Sequence, residues 1–330
     1  MNSSPPTLTW KQILRQNFTN WEKLANFLEL SEEQRQTILK KASFPLNLPL
    51  RLAQKIVKGT LEDPILQQFL PINQELVVIQ KFSEDPIGDA ACRKSAKLIH
   101  KYQGRVLLVC TSVCAMHCRF CFRQHFDYEV KEKAFVNELK LIEEDQSIHE
   151  VILSGGDPLS LSNAVLSDLL ESLSKMPHVK RIRFHTRFPI GIPERLDEEF
   201  LAILRNVPCQ ILFVTHINHA RELDEVVLNK LKCLQKSGIV VLNQAVLLKG
   251  VNDNIEALEG LCELLVDNGV VPYYLHQLDR VQGAAHFEVS VETGLFLIEE
   301  LAKRLPHYAV PKYVRENAGE PSKTLLTHST

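Results

Sequence analysis

Apolar positions recur along this chain in two rhythms, and the change comes near residue 105. Before it the spacing is helical and broken by prolines. Trp10, Ile13 and Leu14 fall on one helix face. Trp21, Leu24, Phe27 and Leu28 repeat the pattern behind Asn20, a good N-cap. Ser31-Glu32-Glu33-Gln34 has the form of a capping box ahead of Thr37-Ile38-Leu39. Pro45 and Pro49 then interrupt the chain before a short helix expected over 50–57. Pro64, Pro71 and Pro86 punctuate residues 60–90, which read as extended connections and turns. Residues 90–100 are expected to form a helix leading into the first strand. Residues 1–100 thus read as a helical N-terminal extension packed on a core formed by 101–330, with a lining role at most.

From Arg105 the rhythm alternates between short apolar runs and longer amphipathic stretches. The runs lie at 105–111, 150–153, 180–185, 209–215, 238–247 and 270–275. The amphipathic stretches lie at 131–145, 162–175, 197–206, 221–236, 254–267 and 290–304. Strand followed by helix, six times over, predicts an α/β fold with a parallel sheet. Right-handed crossovers would curl it into an open, six-unit parallel (β/α) partial barrel, since about eight units are needed to close the common complete form. Functional groups are then expected at the C-terminal ends of the strands.

Composition narrows the class. The 330 residues are 45% hydrophobic and 24% charged, as in a soluble globular protein. A net charge of −2 marks no overall affinity for nucleic acid or an anionic membrane. The start lacks the charged-then-apolar pattern of a signal peptide, and no apolar run approaches the ~20 residues of a membrane-spanning helix. A cytoplasmic location is expected. In a reducing compartment the eight cysteines are not expected to form disulfides, and the five outside the motif described next sit mostly among apolar neighbours, as small buried hydrophobes do.

Directly after the first strand, Cys114, Cys118 and Cys121 form a C-x3-C-x2-C triplet. Three thiolates on one short loop can hold three irons of a cubane iron–sulfur cluster, leaving the fourth iron open to a ligand. A structural zinc site is the alternative, with His117 or His125 as fourth ligand. After the second strand comes Ser154-Gly155-Gly156-Asp157, where two glycines would let a ligand approach the backbone. Later strands end in His185-Thr186-Arg187, in Thr215-His216-Ile217-Asn218-His219 and in His276-Gln277-Leu278-Asp279, and one carries Asn243-Gln244. Polar groups at strand ends suit an inward-facing ligand site. Near the C-terminus Lys323 follows a strand-like run within Glu320-Pro321-Ser322-Lys323-Thr324, where a lysine of depressed pKa could form a Schiff base.

Taken together, Arg105 nine residues before Cys114, the cysteine triplet, Arg123, Ser-Gly-Gly-Asp, Thr-His-x-Asn-His, Asn-Gln-x-Val-Leu-Leu-x-Gly-Val-Asn-Asp and the terminal Glu-Pro-Ser-Lys-Thr resemble the radical S-adenosylmethionine lysine 2,3-aminomutases. The resemblance runs from about residue 85 to the end and is strongest to the short bacterial branch concerned with (R)-β-lysylation of elongation factor P. It implies that Cys114, Cys118 and Cys121 hold a 4Fe–4S cluster whose open iron takes S-adenosylmethionine. It implies that Gly155, Gly156, Asp157, His216 and Gln244 line that cofactor's site. Lys323 matches the lysine that carries pyridoxal 5′-phosphate, and Arg105 a residue near that cofactor. Arg123 matches the arginine that grips the substrate carboxylate, and Asp279 an acid that pairs with the distal ammonium of L-lysine.

Two departures from the catabolic members stand out. Glu316 takes the place of a second pocket aspartate, and Gly319-Glu320-Pro321-Ser322 that of a glycine run. Both fit the elongation-factor branch. The chain ends seven residues after Lys323, where catabolic members continue into a segment involved in assembly, so a simpler oligomeric state is expected. The implied reaction is isomerisation of L-lysine to (R)-β-lysine by radical 1,2-amino migration. It requires a one-electron reductant and passes its product to a separate enzyme that lysylates elongation factor P. An aminomutase for another amino acid such as glutamate, or a zinc-stabilised binding protein, are the alternatives.

Overall fold

The structure, a computed structural model, describes residues 8–128 and 134–328. Nine strands form one sheet in strict sequence order: β1 (Leu98–Tyr102), β2 (Arg105–Thr111), β3 (Glu150–Gly155), β4 (Arg181–Thr186), β5 (Gln210–His216), β6 (Val240–Val246), β7 (Val271–His276), β8 (Lys312–Arg315) and β9 (Thr324–Leu325). Strands β2 to β8 are parallel, and the edge strands β1 and β9 are antiparallel to their neighbours. Helices Val136–Glu144, Asn163–Ser174, Glu198–Arg205, Glu225–Lys236, Ile255–Asp267 and Val291–Arg304 fill the six crossovers. The six expected units are therefore present, and β8 adds a seventh parallel strand after the last helix. The part of the first expected helix at 131–133 lies outside the described residues.

Side-chain alternation along the strands sorts the two faces of the sheet. Val106, Leu108, Val151, Leu153, Ile182, Phe184, Ile211 and Phe213 are buried in the apolar core under the helices. Their alternates, including Arg105, Glu150, Arg183, His185 and Lys312, face the opposite side and line a cavity. Helix starts are set locally. Ser162, Asp197, Asp224, Asn254 and Ser290 each accept a hydrogen bond from the amide three residues on.

The N-terminal elements follow the sequence closely at their starts. Asn20 caps the helix Trp21–Phe27, and Ser31 forms its capping box with Gln34. The helix expected over 50–57 is shorter, Leu50–Ala53. Within 60–90, Asp63 and Pro64 start a helical turn at Pro64–Gln67, and Asn73–Leu76 is a 3-10 turn. Leu24, Leu28, Leu52 and Phe69 belong to the same apolar cluster as the core helices.

The helix expected over 90–100 is not formed. A 3-10 turn at Ala90–Cys92 leads into β1, so the boundary expected at residue 100 falls inside a strand. The reason is the neighbouring turn. Gln103 and Gly104, the latter at φ 75°, close a two-residue hairpin between Tyr102 and Arg105. Leu98 and Ile99 then cover the open edge of β2.

Candidate active site

The C-terminal ends of the parallel strands open on one cavity of about 840 Å³. Every site residue expected from the sequence lines it: the three cysteines, Gly155, Gly156, Asp157, His216, Gln244, Arg105, Arg123, Asp279, Glu316 and Lys323.

The cysteine loop leaves the end of β2 and is clamped against the end of β3. The Gly156 amide donates to Thr111 O at 2.6 Å and the Asp157 amide to Val113 O at 2.8 Å. A Cβ on Gly155 would lie 2.7 Å from Thr111 O, and one on Gly156 only 2.4 Å from Val113 O. The two glycines are thus required by the chain's own cysteine loop. The Gly156 amide is already used within the chain. Asp157 likewise turns inward. Its carboxylate accepts from Thr186 Oγ1 at 2.7 Å and from the amides of Leu159, Arg187 and Phe188 at 3.0, 2.8 and 3.1 Å. Burial nevertheless lifts it to about 6. It ties the ends of β3 and β4 together.

Burial raises all three thiols: Cys114 well above its ordinary value, Cys118 upward, and Cys121 to about 11. Deprotonation therefore has to accompany metal uptake. Among the described residues no three His, Cys, Asp or Glu side chains gather around a point that one ion would fill. The histidines considered as a fourth zinc ligand are engaged elsewhere. His117 Nδ1 lies 2.8 Å from Pro45 O with its ring stacked on Phe44, and His125 Nε2 lies 3.1 Å from Gln282 O. The donor set suits a cubane, in which each thiolate takes a separate iron. Across the cavity mouth His216 and Gln244 have no side-chain hydrogen bond among the described residues and are open to a ligand. Burial holds His216 neutral, down to about 3.

The other end of the cavity is a lattice of buried charge. Asp89 Oδ2 accepts from Arg123 Nε and Nη2 at 2.9 and 2.8 Å, and Asp89 Oδ1 faces Lys101 Nζ at 3.0 Å. Lys101 Nζ also donates to Glu316 Oε1 at 2.8 Å, and Lys323 Nζ donates to Glu316 Oε2. Burial alone would raise Glu316, but Lys323 and Lys101 hold it well below the carboxylate range. Burial likewise opposes the charge of Lys101, yet Glu316 and Asp89 outweigh it and lift its pKa. Both oxygens of Glu316 are therefore spent on the protein's own lysines. The resemblance places Glu316 where catabolic members have a second pocket aspartate, and here that position pairs with Lys101 and Lys323.

Asp279 is different. It is half-buried in the cavity wall, and no hydrogen bond or ion pair to its carboxylate is found among the described residues. Burial pushes it up to about 7, against the opposing pull of Lys323. Of the other acids lining the cavity, Glu150 pairs with Arg181 and Arg183, and Asp89, Asp157 and Glu316 are occupied as described. Arg105 has no carboxylate partner among the described residues and stacks over Tyr102 at 4.6 Å. Arg183 Nε and His185 Nε2 are buried without a hydrogen-bond partner, and both residues line the same end. Asp89, Lys101 and Gln68 were missed by the sequence reading. Nothing local marks them, because their partners lie 34, 215 and 119 residues away.

Comparison with known proteins gives a consistent picture. Residues 108–265 match the Radical SAM superfamily model. The L-lysine 2,3-aminomutase of Haemophilus influenzae is 38% identical over 96% of this chain and 95% of its own length. That of Escherichia coli is 39% identical over 98% and 96%. That of Clostridium subterminale is 30% identical over 96% of this chain and 77% of its own length. Among solved structures, a radical SAM methyltransferase from Sphaerobacter thermophilus aligns with TM-score 0.46 and 17% identity, over 66% of this chain and 68% of that one.

Asp89 is the hinge of the charge lattice, so Asp89→Asn leaves Arg123 and Lys101 sharing a neutral partner in a buried place. The expected cost is about 3–5 kcal/mol in urea unfolding, and a loss below about 1 kcal/mol would contradict the pairing.

Proposed function

The chain belongs to the lysine 2,3-aminomutase family of the radical SAM superfamily, and from that membership we propose that it isomerises L-lysine to (R)-β-lysine by radical 1,2-amino migration. The radical SAM domain goes with a 4Fe–4S cluster and S-adenosylmethionine, which supply radical initiation, while pyridoxal phosphate supplies the π system through which an amino group moves between adjacent carbons.

Cys114, Cys118 and Cys121 would hold the cluster. His216 and Gln244, the unengaged polar groups near it, would meet S-adenosylmethionine, beside the loop that Gly155, Gly156 and Asp157 hold in place. Lys323 would carry pyridoxal phosphate. Lys101, a second lysine of the cavity, is gripped by two carboxylates and held as an ammonium, whereas Lys323 shares only one. An amine must lose its proton to act as a nucleophile, so the less tightly paired lysine is the better candidate. Arg105, with Arg183 and Lys312 lining the same end, fits the cofactor's phosphate. Arg123, with Nε and Nη2 on Asp89 and Nη1 near Ser154, is fixed in position to meet the substrate carboxylate with its remaining donors.

The observation that carries lysine as substrate is Asp279. It is the cavity acid without a partner among the described residues, and an unpaired, half-buried carboxylate facing the cavity suits a cation. A glutamate substrate would need a spare cation there instead. The product's destination, in this reading, is elongation factor P, by way of a separate ligating enzyme. Glu316 and the 319–322 sequence support that branch. No helix among the described residues is long and apolar enough to cross a membrane, which is compatible with the cytoplasmic location proposed.

The test is anaerobic reconstitution with iron, sulfide, pyridoxal phosphate, S-adenosylmethionine and a strong reductant, followed by chiral chromatography. Wild-type protein should convert L-lysine to (R)-β-lysine, and Lys323→Ala should not. A loaded cluster with no β-lysine, or with β-glutamate from glutamate, would refute the substrate assignment. A second outcome concerns pH. Asp279 must be ionised to hold an ammonium, and its pKa of about 7 places the acid limb of kcat/KM there, with activity falling as pH drops. Asp279→Asn should lose that limb and about a hundredfold in kcat/KM, corresponding to about 3 kcal/mol. An unchanged pH profile in that variant would show that Asp279 does not face the substrate.

A further inference from the structure

Arg187 stands just past the end of β4, where its amide is held by Asp157 at 2.8 Å. The residue is only 6% exposed, and both terminal nitrogens of its guanidinium find partners, while Nε has none among the described residues. Nη1 donates to Cys118 Sγ at 2.8 Å, and Nη2 donates to Gln68 Oε1 at 2.6 Å and to Glu222 Oε2 at 2.7 Å. The rings of Phe69 and Phe120 lie 5.0 and 5.5 Å from its Cζ. Glu222 is itself fully buried and fixed. Its Oε1 accepts from the amides of Asn218 and His219 at 3.0 and 2.9 Å and from Gln68 Nε2 at 3.1 Å. Three separate segments therefore aim one guanidinium at one of the three motif thiols.

We propose that Arg187 is a positioning residue for the iron–sulfur cluster, holding the Cys118 thiolate and raising the cluster's reduction potential, with Glu222 setting how far. The proposal rests on the cysteine triplet being the cluster's ligand set. Reduction adds one electron, [4Fe–4S]2+ to [4Fe–4S]1+, drawn from a low-potential one-electron donor. The added charge spreads onto the cluster and its thiolates. A fixed positive N–H donor on one of those thiolates stabilises the reduced state more than the oxidised one. The Glu222 carboxylate sits on the same guanidinium and opposes that effect. The two residues thus act on the potential with opposite signs, which a purely structural role would not produce.

Wild type, Arg187→Gln, Arg187→Lys and Glu222→Gln are reconstituted anaerobically, and iron and sulfide per chain are measured. Each is then titrated with dithionite at controlled potential while the electron paramagnetic resonance of the reduced cluster is followed. Arg187→Gln is expected to make reduction at least tenfold less favourable, a shift of about 59 mV to more negative potential for one electron. Arg187→Lys, which keeps the charge, should fall between it and wild type, and Glu222→Gln should shift the other way. A fully loaded Arg187→Gln cluster at the wild-type potential overturns the proposal. Should Arg187→Gln fail to assemble, the other two variants decide, and wild-type potentials in both overturn it. A wild-type chain that takes up no iron overturns the cluster assignment itself, and the iron analysis tells the two failures apart.

Discussion

A charge taken out of water must find its opposite, and the interior of this sheet is arranged around that requirement. Alternate residues of β2 to β8 point into a cavity instead of an apolar core, and many of them are ionisable. Asp89 neutralises Arg123 and Lys101, Glu316 neutralises Lys101 and Lys323, and Glu222 neutralises Arg187. These pairings fix where each functional side chain stands before any ligand arrives. They also make Asp279, which has no hydrogen bond or ion pair among the described residues, conspicuous. An enzyme that handles reactive radicals needs its groups preset, since a displaced donor would invite side reactions.

The two ends of the cavity follow different physical logic. At the cysteine end the backbone does the positioning. Glycines at 155 and 156 let β3 close against residues 111–113, and Asp157 welds that turn to the start of the segment after β4. At the lysine end ion pairs do the positioning. Arg187 belongs to both, since it carries charge to the cysteine loop and is held by Gln68 from the N-terminal elements. Those elements are therefore more than a cover on the core.

Much of this was legible in the sequence because the informative patterns are local. Short apolar runs and amphipathic stretches gave the six units, and Asn20 and Ser31 marked helix starts correctly. The cysteine triplet, the Gly-Gly turn and the terminal lysine are contiguous motifs that the fold brings into one cavity. What escaped was non-local or ambiguous. β1 is a five-residue strand whose clue, Gln103-Gly104 between two strand-like runs, was readable as a hairpin turn. Asp89 and Lys101 gain meaning only from Arg123 and Glu316, which lie far along the chain. Gly155 and Gly156 were recognised, but the body that approaches them closely is the cysteine loop itself. Glu316 was singled out from its place in the chain near Lys323, but sequence spacing cannot show that Lys101 stands across from it.

Which of the cavity lysines Lys101, Lys312 and Lys323 forms the covalent link decides the chemistry of the site. Lys101 and Lys323 share Glu316, but Lys101 is also paired with Asp89, so it stands between two acids and Lys323 beside one. The direct measurement is to load the protein with pyridoxal phosphate, reduce the linkage with borohydride and locate the pyridoxyl mass by peptide mapping. The pyridoxyl group is expected on Lys323, with Lys101 and Lys312 unmodified. A pyridoxyl group on Lys101 or Lys312, or none on any of the three, would contradict that assignment.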